Sequence, residues 1–167
     1  MKIDRIELRL IRLPLVHFFE TSFGRVYDQE FVLIRVDDGS LFGYGECVAD
    51  RTPYYSSETT ETEWHLLEDY LIPLVLGVEF TDPRDVFPAM KRVRGHNMAK
   101  AGLEMACWDL SAKIAGVPLW QLLGGQGTEI ASGVSVGIQD SLDQLVKKIE
   151  TELAAGYRRI KIKIKPG

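Results

Sequence analysis

The chain has 167 residues, 46% of them hydrophobic and 26% charged, with a formal net charge of -4. That is globular composition, long enough for one core or two small ones. It has no basic surplus of the kind that marks a nucleic-acid-binding surface. Two scattered cysteines, Cys47 and Cys107, make neither a disulfide framework nor a zinc site. The start, Met1-Lys2-Ile3-Asp4-Arg5, leads into an alternating pattern rather than the apolar core of a signal peptide. The apolar stretch at residues 71–76 is too short to span a bilayer. A soluble cytoplasmic protein, with no membrane or nucleic-acid partner, is expected.

Ile6, Leu8 and Leu10 alternate with Arg5, Glu7 and Arg9, as in a half-buried strand that Pro14 should end. Residues 31–36 and 41–48 read as two further strands. They are joined at Asp37-Asp38-Gly39-Ser40, where Asp-Gly suits the positive φ of a hairpin turn. A three-stranded antiparallel sheet is therefore expected. Between its first two strands, residues 16–24 read as a long aromatic-rich connection, of the kind that carries function on a rigid sheet. Helices follow. Ser57 or Thr60 can cap the first, and Thr60 with Glu63 fits a capping box. Asp82-Pro83 opens the second, which Gly95 should end. Asn97 is the expected cap of the third, which runs through Ala101, Leu103, Ala106, Trp108 and Leu110 to Gly116 and Pro118, with small residues that suit close packing.

The pattern changes near Gly124-Gly125. Residues 132–138 read as a strand, and Ser141 with Gln144 caps a helix through Leu142, Leu145, Ile149 and Leu153 that Gly156 closes. A second strand follows, in which Ile160, Ile162 and Ile164 alternate with Lys161, Lys163 and Lys165. Strand, helix and strand in this length form a βαβ unit with a parallel pair. An exposed edge strand, where lysines deter pairing, is the plain explanation of such a run. Parallel strands are usually covered on both faces, however, and such folds keep their active sites at the C-terminal ends of strands. Residues i and i+2 of a strand lie about 6.6 Å apart along the chain. A second ammonium at that range disfavours the charged form of a lysine. Proton abstraction and Schiff-base formation are both open to such a pair.

The segments Phe19-Glu20-Thr21-Ser22-Phe23-Gly24, Gly43-Tyr44-Gly45-Glu46-Cys47, Met98-Ala99-Lys100-Ala101-Gly102-Leu103-Glu104-Met105-Ala106 and Gly133-Val134-Ser135-Val136-Gly137-Ile138, with the lysine run from Gly156 to Gly167, occur in an order and spacing that together resemble one family. The chain is similar to the enolase superfamily, in its muconate-lactonizing subgroup. Within that subgroup it resembles the o-succinylbenzoate synthases that are also N-succinylamino acid (N-acylamino acid) racemases. The resemblance implies an α+β capping domain over residues 1–126 and the first βαβ of a TIM-type (β/α) barrel over residues 127–167. It also implies a Mg2+-dependent lyase or isomerase that abstracts the proton α to a carboxylate. Lys163 would be the general base and Lys161 its charged partner, contacting the carboxylate of a small-molecule substrate. Ser135 would contact substrate, and Phe19 with its neighbours would cover the site. A small residue packing the barrel mouth is the plain reading of Ser135, and core packing that of Phe19. Lys165 is given no chemistry. Glu46 and Glu104 are not ligands in the family pattern, and His17, His65 and His96 have no ligand spacing.

A complete barrel has eight strands in about 250 residues, and two are expected here. By the resemblance, the three magnesium-binding carboxylates and a second catalytic lysine belong to later strands, beyond residue 167. The chain is thus expected to be the N-terminal portion of an enzyme, inactive alone, whose partner is the rest of the barrel and which forms a homo-oligomer when complete. A dipeptide epimerase or muconate cycloisomerase of the same subgroup is the alternative enzyme. A non-catalytic capping module, binding a partner through the open edge of its βαβ unit, is the alternative from another class.

Overall fold

The computed structural model describes residues 1–21 and 24–164. Contacts divide the chain into two compact units, one of residues 1–13 and 30–126, the other of residues 14–29 and 127–167.

One sheet has the order β1-β2-β3, with β1 Arg5–Thr21, β2 Gly24–Asp37 and β3 Phe42–Cys47; residues 5–13 of β1, residues 30–37 of β2 and all of β3 belong to the first unit, and the rest of β1 and β2 to the second. The antiparallel sheet expected from the alternation is present, with Val32 opposite Cys47 and Asp37 opposite Phe42. At the β2–β3 turn the Gly39 N–H donates to Asp37 Oδ1 (2.8 Å), and the Ser40 and Leu41 N–H groups donate to Asp38 Oδ1 (3.0 and 2.8 Å). Gly39 takes φ +89°, as an Asp-Gly turn requires. Two expectations for this sheet fail. Pro14 does not end β1, because β1 is an edge strand, where alternate N–H groups point away from the sheet and a proline at such a position costs no ladder bond. Of the connection expected at residues 16–24, residues 16–21 and Gly24 are strand; Ser22 and Phe23 lie outside the described residues.

A first helix, α1 Thr60–Leu66, widens into a π-helical turn at Leu67–Leu71 before α2 Ile72–Val75. Pro73 explains the widening, since it lacks an N–H and crowds the preceding turn. The cap is Thr59 rather than Ser57 or Thr60. Thr62 N–H donates to Thr59 Oγ1 (3.2 Å), Thr59 N–H donates to Thr62 Oγ1 (2.8 Å), and the Thr60 hydroxyl instead donates to Ala49 O (3.1 Å). Asp82 does begin the next element, a 3₁₀ turn Pro83–Asp85 leading into α3 Val86–Ala89, but that helix stops well before Gly95.

The long helix α4 Asn97–Ala115 ends at Gly116, φ +67°, as expected. Its start is not capped by Asn97. His96 precedes it in the left-handed region (φ +51°), and the Glu58 carboxylate accepts from the N–H groups of Met98 (3.0 and 3.2 Å) and Ala99 (3.1 Å). An anion at a helix N-terminus satisfies orphan donors and complements the dipole.

The core of this unit joins Val32, Ile34 and Val36 of β2 to Leu67, Leu71 and Val75, and to Ala99, Leu103, Ala106 and Leu110 of α4. Helix α4 lies directly on β3. A Cβ at Gly45 would fall 2.0 Å from the carbonyl oxygen of Gly102, and one at Gly43 would fall 2.1 Å from that of Ala106. The short helix α5 Leu119–Leu122 follows.

In the second unit, β4 Val134–Val136 pairs in parallel with β5 Ile160–Ile162 across α6 Leu142–Ala154. This is the expected βαβ unit. Ser141 caps α6 by accepting from Gln144 N–H (3.2 Å), and Gly156, φ +97°, follows its end. The expected burial on both sheet faces is not found. Val136 is buried, but Lys161 and Ile162 are exposed and no residue of α6 is buried, because one helix can cover only one face of two strands.

Candidate active site

Register on β4–β5 brings two of the sequence-derived residues side by side. Ser135 pairs with Lys161, flanked by Val134 with Ile160 and Val136 with Ile162. Successive residues of a strand alternate between faces. Ser135 and Lys161 therefore share the face opposite the buried Val136. Lys163 follows β5, and its N–H donates to Val136 O (3.0 Å), which carries the parallel ladder one step further. Its side chain is half-buried, whereas that of Lys161 is exposed. Lys165 lies outside the described residues.

Phe19 meets Lys163. The ammonium nitrogen sits 3.6 Å from the centroid of the Phe19 ring, a close cation–π contact. Phe19 is 45% exposed, so this ring is stacked on a lysine rather than sunk in a core.

Charged residues that the sequence did not single out are bonded to one another beside Phe19 in the chain. Arg25 Nε donates to Glu20 Oε2 (2.5 Å), and Arg25 Nη2 donates to Asp140 Oδ1. Glu20 is buried at 6% exposure, and the Arg25 guanidinium also lies 4.3 Å from the Phe18 ring centroid. Phe18 in turn packs on Tyr27, with centroids 6.3 Å apart. The hydrogen bonds to Asp140 and then to Glu20 raise the Arg25 pKa, so the guanidinium stays charged. Arg25 and Asp140 are separated by 115 positions in the chain, and no local pattern links them.

Other ionisable groups are accounted for locally. Glu46 is exposed on β3, Glu104 accepts from Trp108 Nε1–H (3.3 Å), and His65 pairs with Asp69 (2.9 Å). His17 is exposed, and His96 Nδ1 is buried without a hydrogen-bond partner. Glu63 of α1 is fully buried with both oxygens lacking a partner, and burial pushes it up to about 7. Burial also raises both thiols, Cys107 up to about 12. Among the described residues, no three or more His, Cys, Asp or Glu side chains are grouped to hold a metal ion, so the residues present do not fit a magnesium site. No helix among them is long and apolar enough to cross a membrane. A groove of about 450 Å³ in the first unit, walled by Leu10, Arg51, Trp64 and Glu68, contains none of the lysines.

The family model described as mandelate racemase / muconate lactonizing enzyme, N-terminal domain, matches residues 5–124. The chain is 47% identical to an o-succinylbenzoate synthase of Geobacillus kaustophilus, over 100% of this chain and 45% of that protein. It is 46% identical to an N-succinylamino acid racemase of Thermus thermophilus, again over 100% and 45%. A solved structure from Enterococcus faecalis V583, described as an unknown member of the enolase superfamily, superposes with a TM-score of 0.86 at 39% identity, covering 100% of this chain and 46% of the other. The chain thus spans about 45% of the length of the curated relatives it matches.

Proposed function

Because the chain belongs to the mandelate racemase / muconate lactonizing enzyme family through its N-terminal domain, we propose that it is the N-terminal part of an enolase-superfamily lyase or isomerase. Residues 1–126 form the capping domain and residues 127–167 begin the barrel. The enzyme removes the proton α to a carboxylate, and its reaction is dehydration to o-succinylbenzoate, racemisation of an N-succinylamino acid, or both. The relatives carrying those two names support this choice. The observation that carries the reading is Lys163, held at the end of the second parallel strand with its ammonium against the Phe19 ring.

Each residue has a distinct task. Lys163 Nζ, once neutral, takes the α-proton as general base. Lys161 stays charged and binds the substrate carboxylate, since an ammonium there opposes the negative charge that proton loss creates. Ser135, in register with Lys161, contacts the substrate from the neighbouring strand. Phe19 covers Lys163 and excludes water from the proton transfer. Mg2+ belongs to the proposed longer protein, with ligands beyond residue 167, and no step is routed through it. The protein is placed in the cytoplasm as a homo-oligomer; its two free, buried cysteines suit a reducing compartment.

The test is Lys163→Ala in the full-length protein, assayed with magnesium for both reactions. General-base removal should lower kcat by about 10²–10⁴-fold. Turnover at the unsubstituted rate would sink the assignment of Lys163. If the unsubstituted protein catalyses neither reaction, the choice of substrate fails.

A further inference from the structure

The cover over Lys163 is fastened by ionic contacts. Phe18, Phe19 and Glu20 lie on β1, Arg25 and Tyr27 lie on β2, and all belong to the same compact unit as the βαβ segment. Arg25 spans two carboxylates of different origin. Glu20 is on the facing strand of its own ribbon, and Asp140 is in the loop that follows β4 and precedes the α6 cap Ser141. One guanidinium therefore ties the ribbon to itself and to the C-terminal side of β4. A planar fork with several donors can serve two carboxylates at once, which a point charge on a flexible stem cannot do as well. The Phe18 ring lies under the same guanidinium, so the residue next to Phe19 is also fixed. Glu20 is buried, and a charge-assisted hydrogen bond is strong where water is excluded.

We infer that Arg25 is a positioning residue, latching the β1–β2 ribbon to Asp140 so that Phe19 stays over Lys163. Arg25 touches neither Lys163 nor a reacting atom in this role. Its effect passes through Phe19. The inference rests on the reading of Lys163 as the base only for its kinetic consequence. The latch itself is a statement about the ribbon.

The experiment measures two things on the full-length protein. Amide hydrogen exchange is followed over residues 16–20 and 24–27, with helix α4 as internal reference. Steady-state kinetics are taken on the substrate that the unsubstituted protein turns over. Arg25→Ala and Asp140→Ala should each speed exchange in the ribbon about tenfold or more while α4 is unchanged. They should also lower kcat/KM by as much as about 10²-fold, the scale of a misplaced site. Arg25→Lys should recover part of both losses, because it restores charge but not the two-carboxylate fork. Unchanged ribbon exchange in Arg25→Ala overturns the latch. Faster exchange with unchanged kcat/KM overturns the positioning role. Lys163→Ala separates the two readings. It should keep the ribbon protected while lowering kcat by about 10²–10⁴-fold, and if it turns over at the unsubstituted rate the base assignment falls while the exchange data still decide the latch.

Discussion

Replacing Glu63 with Gln should flatten the pH dependence of stability. Glu63 sits in α1 with no exposure, and neither carboxylate oxygen has a hydrogen-bond partner. Burial raises its pKa from 4.5 to about 7, the nearby Glu58 adds to the rise, and the Ala49 amide, outside hydrogen-bond geometry, opposes it. The folded protein therefore holds a proton on Glu63 between pH 4.5 and 7 that the unfolded chain releases. The stabilisation is complete below pH 4.5 and is lost as the pH rises through 7. The size of the rise corresponds to about 3 kcal/mol between those limits. Glutamine keeps the shape and removes the titration. Its own unpaired amide costs about 1–3 kcal/mol, equally at every pH. The assay is urea unfolding of the protein and of Glu63→Gln at pH 5, 6, 7 and 8, read as free energies. The gap between the two should move by about 2–3 kcal/mol in favour of the variant from pH 5 to pH 8. Parallel stability curves would refute the view that Glu63 is buried neutral.

Two further outcomes test the packing of the first unit. Gly45→Ala should destabilise by about 3 kcal/mol or more, since its Cβ would meet a backbone oxygen of α4 that has no rotamer to yield; thermal unfolding measures this, and an unchanged Tm would contradict the direct contact of β3 and α4. Glu58→Ala should cost about 1–3 kcal/mol by leaving the Met98 and Ala99 N–H groups without their acceptor. Denaturant unfolding measures that loss, and a cost no larger than for an exposed α6 glutamate would remove the capping role.

Local patterns were legible where local physics decides them. Alternation revealed the β2–β3 hairpin, the Asp-Gly turn and the β4–α6–β5 unit, because strand period and turn conformation are properties of neighbours. Ser141 and Gly116 were readable as helix ends for the same reason. Pro14 misled because its effect depends on whether the strand is an edge, which is a property of the sheet. The α4 start misled because its cap, Glu58, lies 40 positions before Met98. The Lys161–Lys163 pair announced itself by charge on a period of two, and Ser135 by its place in the first parallel strand. The register between them, the Phe19 contact and the Arg25 bridge depend on how distant segments meet. The partners in each case, Ser135 with Lys161, Phe19 with Lys163 and Arg25 with Asp140, lie far apart in the chain, so no local pattern links them.

The glycines of β3 also guard against a folding error. Gly43 and Gly45 face α4, while Phe42 and Tyr44 occupy the opposite side, where their rings meet edge-on at 5.4 Å. A slip of β3 by one residue against β2 would exchange these faces. It would drive two aromatic rings into a space that cannot admit a single methyl group. A mispaired hairpin therefore cannot receive α4, and docking of that helix proofreads the strand alignment on which the sheet depends.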